Sequence, residues 1–182
     1  CLQLPTTAIF IGVVLSLPLL IVYSTHLKGK PLIGNIIVSL IIGSSFIFCG
    51  AAFDNISPLL IPAFLSFGLT LVREIVKDIA DVNGDKLVGH NTLPIKYGID
   101  KTVKLVCYLS LLVGLFALYP YSANMYSSWY LIIVIIGVEV PLMVMVFLLL
   151  YKTVISYAVL GSKILKFSSV MGLLAIYMGS TL

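Results

Sequence analysis

Four carboxylates are gathered in one short segment of the chain, residues 73–86. The chain has seven acidic residues in all, and the four in this segment are Glu74, Asp78, Asp81 and Asp85. At about 100° per residue, a helix would place these four side chains within an arc of roughly 60°. The positions on the opposite side are apolar: Ile75, Val76, Ile79 and Val82. The spacing therefore predicts a helix with one carboxylate face and one face that packs into the protein.

Carboxylates stacked at this spacing repel one another on a bare helix, and a hard divalent cation would relieve that repulsion. Mg²⁺ prefers oxygen ligands and commonly combines one or two carboxylates with the phosphate oxygens of a substrate. Arg73 and Lys77 flank the carboxylate arc and suit the remaining negative charge of a diphosphate. We interpret the segment as a magnesium-diphosphate site. The alternative is a solvated helix end with internal ion pairs, Glu74 with Lys77 or Lys77 with Asp81.

The rest of the sequence indicates a membrane protein. Of the 182 residues, 60% are apolar and only 10% are charged, whereas a soluble globular domain carries about 25% charged residues. Six apolar stretches approach the roughly 20 residues that a helix needs to cross a bilayer. Their predicted bounds are Leu4–Tyr23, Leu32–Phe53, Ile56–Val72, Leu105–Tyr121, Trp129–Tyr151 and Ile164–Leu182. We therefore predict an all-α, polytopic transmembrane helical bundle that forms a single domain.

All eleven basic residues fall on one side of this predicted membrane arrangement. They follow the first span, separate the third from the fourth, or lie around the start of the sixth: Lys28, Lys30, Arg73, Lys77, Lys86, Lys96, Lys101, Lys104, Lys152, Lys163 and Lys166. Because cytoplasmic loops are enriched in lysine and arginine, we predict that this side, with its carboxylates, faces the cytoplasm at a cell membrane. No basic run has the character of a nucleic-acid-binding patch.

The carboxylate segment and its surroundings resemble a known family. Residues 73–85, followed by Gly89-His-Asn-Thr-Leu-Pro-Ile95 and by the pair Tyr97-Gly98, resemble the second aspartate-rich motif of the UbiA superfamily of intramembrane prenyltransferases. Residues 23–30, with Gly34-Asn35, look like the tyrosine-lysine motif of that family. The amino-acid sequence of the first segment is most similar to that of the branch that makes archaeal-type ether lipids.

This resemblance implies an enzyme with Mg²⁺ as its cofactor, a prenyl diphosphate as one substrate and membrane lipids around it. The implied metal ligands are Asp81 and Asp85, with Asp78 as an additional or supporting ligand. The implied diphosphate-binding residues are Lys28, Lys30, Arg73 and Lys77. Tyr23 would lie near the carbon–oxygen bond that breaks. Asn35 is either a further phosphate ligand or a hydrogen-bonding residue at the start of the second span.

One part of the family pattern is missing from this sequence. The first aspartate-rich motif, of the form Asn-Asp-x-x-Asp-x-x-x-Asp, is absent, as are the helices that carry and precede it. The sequence also begins with Cys1 instead of Met. We therefore expect residues 1–182 to be about the C-terminal two-thirds of a UbiA-type prenyltransferase, truncated at the N-terminus and inactive by itself.

Several alternatives differ in substrate or in class. The expected acceptor is the hydroxyl of geranylgeranylglyceryl phosphate, and an aromatic precursor of quinones or chlorophyll is the alternative acceptor. A transporter or channel is disfavoured because only Glu139 and Lys166 are charged within the predicted spans. The Asp-Gly…Ala-Arg signature of CDP-alcohol phosphotransferases is absent, and no feature indicates a non-catalytic scaffold. His90 either contacts phosphate or is a solvated loop residue.

Overall fold

The computed structural model of the protein describes residues 3–151 and 155–181, and every regular element in these ranges is a helix. Six helices are long and apolar enough to cross a membrane, and we number them as the first to sixth spans: Thr6–Leu27, Ile33–Ala52, Ser57–Ala80, Ile99–Ser122, Ser128–Tyr151 and Ile155–Ser180. Two short helices, Val82–Leu87 and Leu93–Tyr97, connect the third span to the fourth. The predicted fold class and the number of spans are confirmed.

Some of these spans change helical type along their length. The first span consists of α-helical Thr6–Ile9 and Leu17–Val22 and π-helical Phe10–Ser16 and Tyr23–Leu27. The third begins with a 3₁₀ turn, Ser57–Leu59, before α-helical Leu60–Ala80. The fifth has a π-helical turn, Ile135–Glu139, between α-helical Ser128–Val134 and Val140–Tyr151. The sixth lies in a single α-helix, Ile155–Thr181.

Four spans extend further at the basic side of the bundle than their predicted bounds. The first continues past Tyr23 to Leu27, and the extension of the third is the helix that the carboxylate spacing predicts. The third span continues to Ala80, the fourth begins at Ile99 and the sixth begins at Ile155. Lys163, which we expected in a loop, therefore lies within the sixth span. Long lysine side chains can lie along a helix and extend their charge towards the interface, so a charge alone does not end a span. Lys152 lies outside the described residues.

The third span is the centre of the bundle and packs against the second, fourth and sixth spans. Ile75, Val76, Ile79 and Val82 are at most 3% exposed, so the predicted apolar face is confirmed. Between helices in a membrane, close van der Waals packing stabilises such a face, because lipid tails are as apolar as the protein interior. Small residues permit it: a Cβ added to Gly43 would lie 2.9 Å from the carbonyl oxygen of Ala63.

The outer surface of the bundle carries many large apolar side chains. Examples on the fourth and fifth spans are Leu111, Leu115, Phe147 and Leu150, each 61–65% exposed. A surface of this kind is unfavourable in water and suits contact with hydrocarbon. Together with the six apolar helices, it makes the chain a multi-pass membrane protein.

Candidate active site

A polar cavity of about 630 Å³ opens at the basic end of the bundle. It lies where the first span ends, the second begins and the third gives way to the loop that follows it. Its charged lining comprises Lys28, Lys30, Glu74, Lys77, Asp78, Asp81 and Asp85. The rest of the lining is Tyr23, Gly29, Gly34, Asn35, Val38, Ala80, Gly84, Val88, His90 and Thr92. The cavity therefore brings together every residue that we predicted for the site except Arg73.

The carboxylate face is built from two helices and not from one. The third span ends at Ala80, and Asp81 joins it to the helix Val82–Leu87. The turn is nevertheless continuous, because the amide of Asp81 donates to the carbonyl of Lys77 and the amide of Asp85 donates to that of Asp81, both at 2.9 Å. Helical spacing is thus preserved across the junction, and Asp78, Asp81 and Asp85 all face the cavity.

Asp78 is held by a residue of the second span. The side-chain amide Nδ2 of Asn35 donates to Oδ2 of Asp78 at 2.9 Å. Asn35 is 7% exposed, and Asp78 is half-buried. A hydrogen bond to an ionised carboxylate is stronger than a neutral one and restricts its orientation. The contact therefore joins Asn35, at the start of the second span, to the first aspartate of the carboxylate face.

The loop that carries Lys28 and Lys30 is docked against the loop after the carboxylates. The amide of Asn91 donates to the carbonyl of Gly29 at 2.8 Å. His90 Nδ1 lies 3.2 Å from Oδ1 of Asp85, and the His90 amide donates to the Asp85 carbonyl at 2.9 Å. His90 is thus in contact with a predicted metal ligand, a contact that sequence spacing did not indicate. The loop with Lys28 and Lys30, the His90 side chain and the Asp85 carboxylate are therefore connected by hydrogen bonds.

Gly29 makes this docking sterically feasible. Its φ is +83°, a conformation that residues with a side chain rarely adopt, and a Cβ added there would lie 2.6 Å from the His90 ring. We expect Gly29→Ala to lower the efficiency of catalysis with a prenyl diphosphate about 10-fold or more, because the lysine loop must move away from Asp85. Steady-state rates of the full natural protein that contains this chain would measure the loss.

Gly89→Ala is the matched control for that substitution. Gly89 also has a positive φ, +73°, but a Cβ added there would meet no atom within 4 Å. Alanine at position 89 would therefore introduce the same backbone strain as alanine at position 29, about 1–2 kcal/mol for a left-handed residue, but no collision with another side chain. Equal activity of the two variants would show that the contact with His90 is unimportant for catalysis.

Few of the charges around the cavity neutralise one another. In the described ranges, the salt bridges within 4.0 Å are Arg73 Nη1 with Glu74 Oε1, at 2.9 Å, and His90 with Asp85. Lys77 therefore forms no salt bridge with Glu74 or Asp81 among these residues, although internal pairing was the alternative interpretation of this segment. Lys28 and Lys30 likewise have no salt bridge in the part of the chain that the structure describes. Three ammonium groups and four carboxylates at one cavity suit an anionic ligand that binds together with a divalent cation.

Arg73 lies on a different cavity from the other predicted residues. This second cavity, of about 480 Å³, is mainly apolar and lies between the second to sixth spans. Consecutive helical residues point about 100° apart, so Glu74 lines the polar cavity while Arg73 lines the apolar one. The predicted role of Arg73 at the diphosphate is therefore not supported by its position, and the arginine–glutamate pair lies between the two cavities.

Glu139 lies in the π-helical turn of the fifth span, packed against the fourth span. A Cβ added to Gly114 would lie 2.7 Å from Glu139 Oε2, and Oε1 is buried without a hydrogen-bond partner among the described residues. The side chain lines neither the polar nor the apolar cavity. The contact with Gly114 favours a structural position over contact with a headgroup or acceptor.

The donor set fits Mg²⁺ bound together with a phosphate ligand. Among the described residues, no three histidine, cysteine or acidic side chains are close enough to hold a metal ion by themselves. A protein-only cage is thus not formed there, whereas Mg²⁺ commonly takes one or two carboxylates and fills its other positions with water and substrate phosphate oxygens. Asp78, Asp81 and Asp85, which line one cavity together with three lysines, have the chemistry for that shared arrangement.

Comparison with known proteins identifies the family of the chain. The profile of the UbiA prenyltransferase family matches residues 1–179. A digeranylgeranylglyceryl phosphate synthase of Methanosphaera stadtmanae is 39% identical over 127 residues, which are 70% of this chain and 47% of that protein. The synthase of the same name from Methanopyrus kandleri is 34% identical over 164 residues, 86% of this chain and 57% of that protein. The chain therefore spans about half the length of the curated relatives that it matches.

A solved structure is similar over almost the whole chain. It was described under the heading "Structural and mechanistic insights into the biosynthesis of Digeranylgeranylglyceryl phosphate synthase in membranes". The two are 34% identical in sequence and superpose with a TM-score of 0.87, covering 98% of this chain and 63% of the other. Sequence profile, relatives and fold agree, and the chain belongs to the UbiA prenyltransferase family.

Proposed function

We propose that the protein transfers a geranylgeranyl group from its diphosphate to the hydroxyl of geranylgeranylglyceryl phosphate, with Mg²⁺ as the cofactor. The observation that carries this proposal is the polar cavity, where three aspartates and three lysines converge beside a mainly apolar cavity. A diphosphate group bound with a divalent cation has the charge that complements the polar cavity, and the adjoining apolar cavity suits the prenyl chain of a lipid substrate. Membership of the UbiA family and similarity to two proteins named digeranylgeranylglyceryl phosphate synthase support the same reaction.

In this proposal the lysines bind the leaving group. Lys28, Lys30 and Lys77 donate hydrogen bonds to the diphosphate oxygens and stabilise the negative charge that develops there. Asp81 and Asp85 would hold the metal ion, and Asp78, oriented by its hydrogen bond from Asn35, would support them. The ion, when bound, adds further stabilisation of the departing diphosphate.

The remaining residues act on the carbon side of the bond. As the bond between C1 and oxygen breaks, its electron pair leaves with the diphosphate and C1 becomes an allylic cation. In this proposal the aromatic ring of Tyr23, which lines the polar cavity, stabilises this developing charge. The apolar cavity keeps water from the cation. The hydroxyl oxygen of the acceptor then forms the new bond to C1, and its proton passes to an oxygen of the released diphosphate.

The reaction would take place at the cytoplasmic side of a cell membrane. Lys28 and Lys30, the lysines of the third-to-fourth loop and the polar cavity lie at the same end of the bundle. Since lysine and arginine are enriched in cytoplasmic loops, this end faces the cytoplasm, where a water-soluble diphosphate can leave after the reaction.

A product assay tests the proposed function. The full natural protein that contains this chain is supplied with Mg²⁺, geranylgeranyl diphosphate and, in parallel, geranylgeranylglyceryl phosphate or an aromatic acceptor. We expect an ether product from the glyceryl phosphate, lost on chelation of Mg²⁺ and restored when Mg²⁺ is returned. Product from the aromatic acceptor alone would assign the protein to quinone or chlorophyll synthesis. Absence of transfer, together with absence of Mg²⁺-dependent binding of a prenyl diphosphate analogue, would favour a transporter or scaffold.

A further inference from the structure

The apolar cavity has two cationic side chains in an otherwise uncharged wall. These are Arg73 of the third span and Lys166 of the sixth. Ser45, Ser66, Thr70 and Ser169 add hydroxyls, and the other lining residues are apolar, apart from the buried phenol of Tyr130. No acidic residue lines this cavity. Its wall is therefore suited to a ligand with a long apolar part and an anionic group.

The two cations lie at nearly the same depth in the bundle. The third and sixth spans touch at Val76, whose Cγ1 would be 3.4 Å from a Cβ added to Gly161. From this contact the cavity is lined by lower-numbered residues of the third span and higher-numbered residues of the sixth. At 1.5 Å per residue, Arg73 lies about 4.5 Å and Lys166 about 7.5 Å along the same direction. Both therefore mark one end of the cavity.

Internal contacts leave this pair of cations only partly neutralised. Arg73 gives one donor, Nη1, to Glu74, but its Nε is buried without a partner among the described residues. Lys166 forms no salt bridge within 4.0 Å in the same part of the chain. Cations within spans are costly, and a buried donor without an acceptor adds to that cost. An anionic oxygen group between Arg73 and Lys166 would satisfy both.

We propose that Arg73 and Lys166 bind the phosphate of the acceptor lipid, while the single prenyl chain of that lipid lies in the apolar cavity. This inference rests on the proposed function, because it assigns the second substrate of the same reaction. The donor has its own cations, Lys28, Lys30 and Lys77, in the polar cavity. The Arg73–Glu74 pair separates the two sets of charges, so each phosphate-bearing substrate has a distinct position.

Steady-state kinetics of the full natural protein, measured at varied concentrations of donor and of acceptor, distinguish the donor site from the acceptor site. We expect Arg73→Gln and Lys166→Gln each to raise the KM for geranylgeranylglyceryl phosphate about 10-fold or more, the effect of losing one charge-assisted contact. Neither should raise the KM for geranylgeranyl diphosphate more than about 2-fold. Lys77→Gln should show the reverse split. Lys163→Gln is the matched control, because it removes a lysine of the same helix that lines a separate external groove.

Direct binding gives a second readout that does not depend on turnover. The full natural protein in detergent is titrated with geranylgeranylglyceryl phosphate and, separately, with geranylgeranylglycerol, which lacks the phosphate. The unsubstituted protein should bind the phosphate form about 10-fold or more tightly than the alcohol, and Lys166→Gln should reduce that preference. The Lys166 side chain is exposed, so this variant is expected to fold even if Arg73→Gln does not.

The outcomes distinguish the inference from the proposed function. Unchanged acceptor KM in the Lys166→Gln variant, or a rise in donor KM instead, would overturn the assignment while leaving prenyl transfer to the glyceryl phosphate intact. Equal affinity of the unsubstituted protein for the phosphate and the alcohol would overturn it as well. Failure of prenyl transfer, with phosphate-dependent binding retained and lost in the Lys166→Gln variant, would remove the proposed reaction but keep the lipid-phosphate site.

Discussion

Replacement of Asp81 by asparagine is expected to reduce Mg²⁺-dependent prenyl transfer by about 100-fold or more. Asp81 lies at the junction of the third span and the helix Val82–Leu87, with its side chain on the polar cavity. Asparagine has nearly the same size, so the substitution removes a negative charge and leaves the packing largely unchanged. Initial rates of the full natural protein, measured over a range of Mg²⁺ concentrations, would show both a lower maximum and a higher Mg²⁺ requirement.

Asp100→Asn is the control for this substitution. Asp100 lies in the first turn of the fourth span and does not line the polar cavity. It therefore loses the same charge on the same side of the bundle without changing the predicted ligand set. Mg²⁺-dependent binding of a prenyl diphosphate analogue provides a readout apart from turnover. If Asp81→Asn leaves both binding and the Mg²⁺ requirement unchanged, Asp81 is not a metal ligand.

The number of spans could be predicted from sequence because each apolar run approaches the thickness of a bilayer. The span ends could not, because a helix continues wherever its backbone hydrogen bonds do. The third span extends beyond Arg73 to Ala80, since its inner side, with Ile75 and Ile79, remains buried while the polar side faces a cavity. Hydropathy averages over all faces of a helix and places the end of this span at Val72, whereas the spacing of apolar and acidic residues in 73–86 predicts that the helix continues.

The carboxylate face could be predicted because it depends only on the spacing of residues within one short segment. Helical spacing alone places Asp78, Asp81 and Asp85 on one side, and the hydrogen bonds across Asp81 preserve that spacing although the helix divides there. The partners of these carboxylates were not predictable. Asn35 lies 43 residues from Asp78, and His90 reaches Asp85 only because the chain turns back at that point. Both contacts depend on tertiary structure.

Arg73 illustrates how adjacent residues can serve different ligands. Its neighbour Glu74 was expected to share its environment, and the two are indeed paired at 2.9 Å. Consecutive positions of a helix point about 100° apart, however, and here that angle is enough for Arg73 to line the apolar cavity and Glu74 the polar one. The sequence Arg-Glu therefore encodes a boundary between the polar and apolar cavities. This position is consistent with a reaction in which two phosphate-bearing substrates must meet at their reactive carbons and keep their charges apart.

The hydrogen bond from Asn35 to Asp78 leads to the second large expected effect. We expect Asn35→Leu to lower the rate of prenyl transfer about 10- to 100-fold, because Asp78 would lose the donor that orients it at the cavity. The half-buried carboxylate would also be left without its partner, which costs about 1–3 kcal/mol, so the midpoint of thermal unfolding in detergent should fall. Ser39→Ala is the matched control. The Ser39 hydroxyl lies one turn along the same helix and donates to the backbone carbonyl of Asn35 at 2.6 Å, without touching Asp78. Ser39→Ala should therefore alter stability more than rate, whereas a fully active but less stable Asn35→Leu variant would mean that the bond only joins the second and third spans.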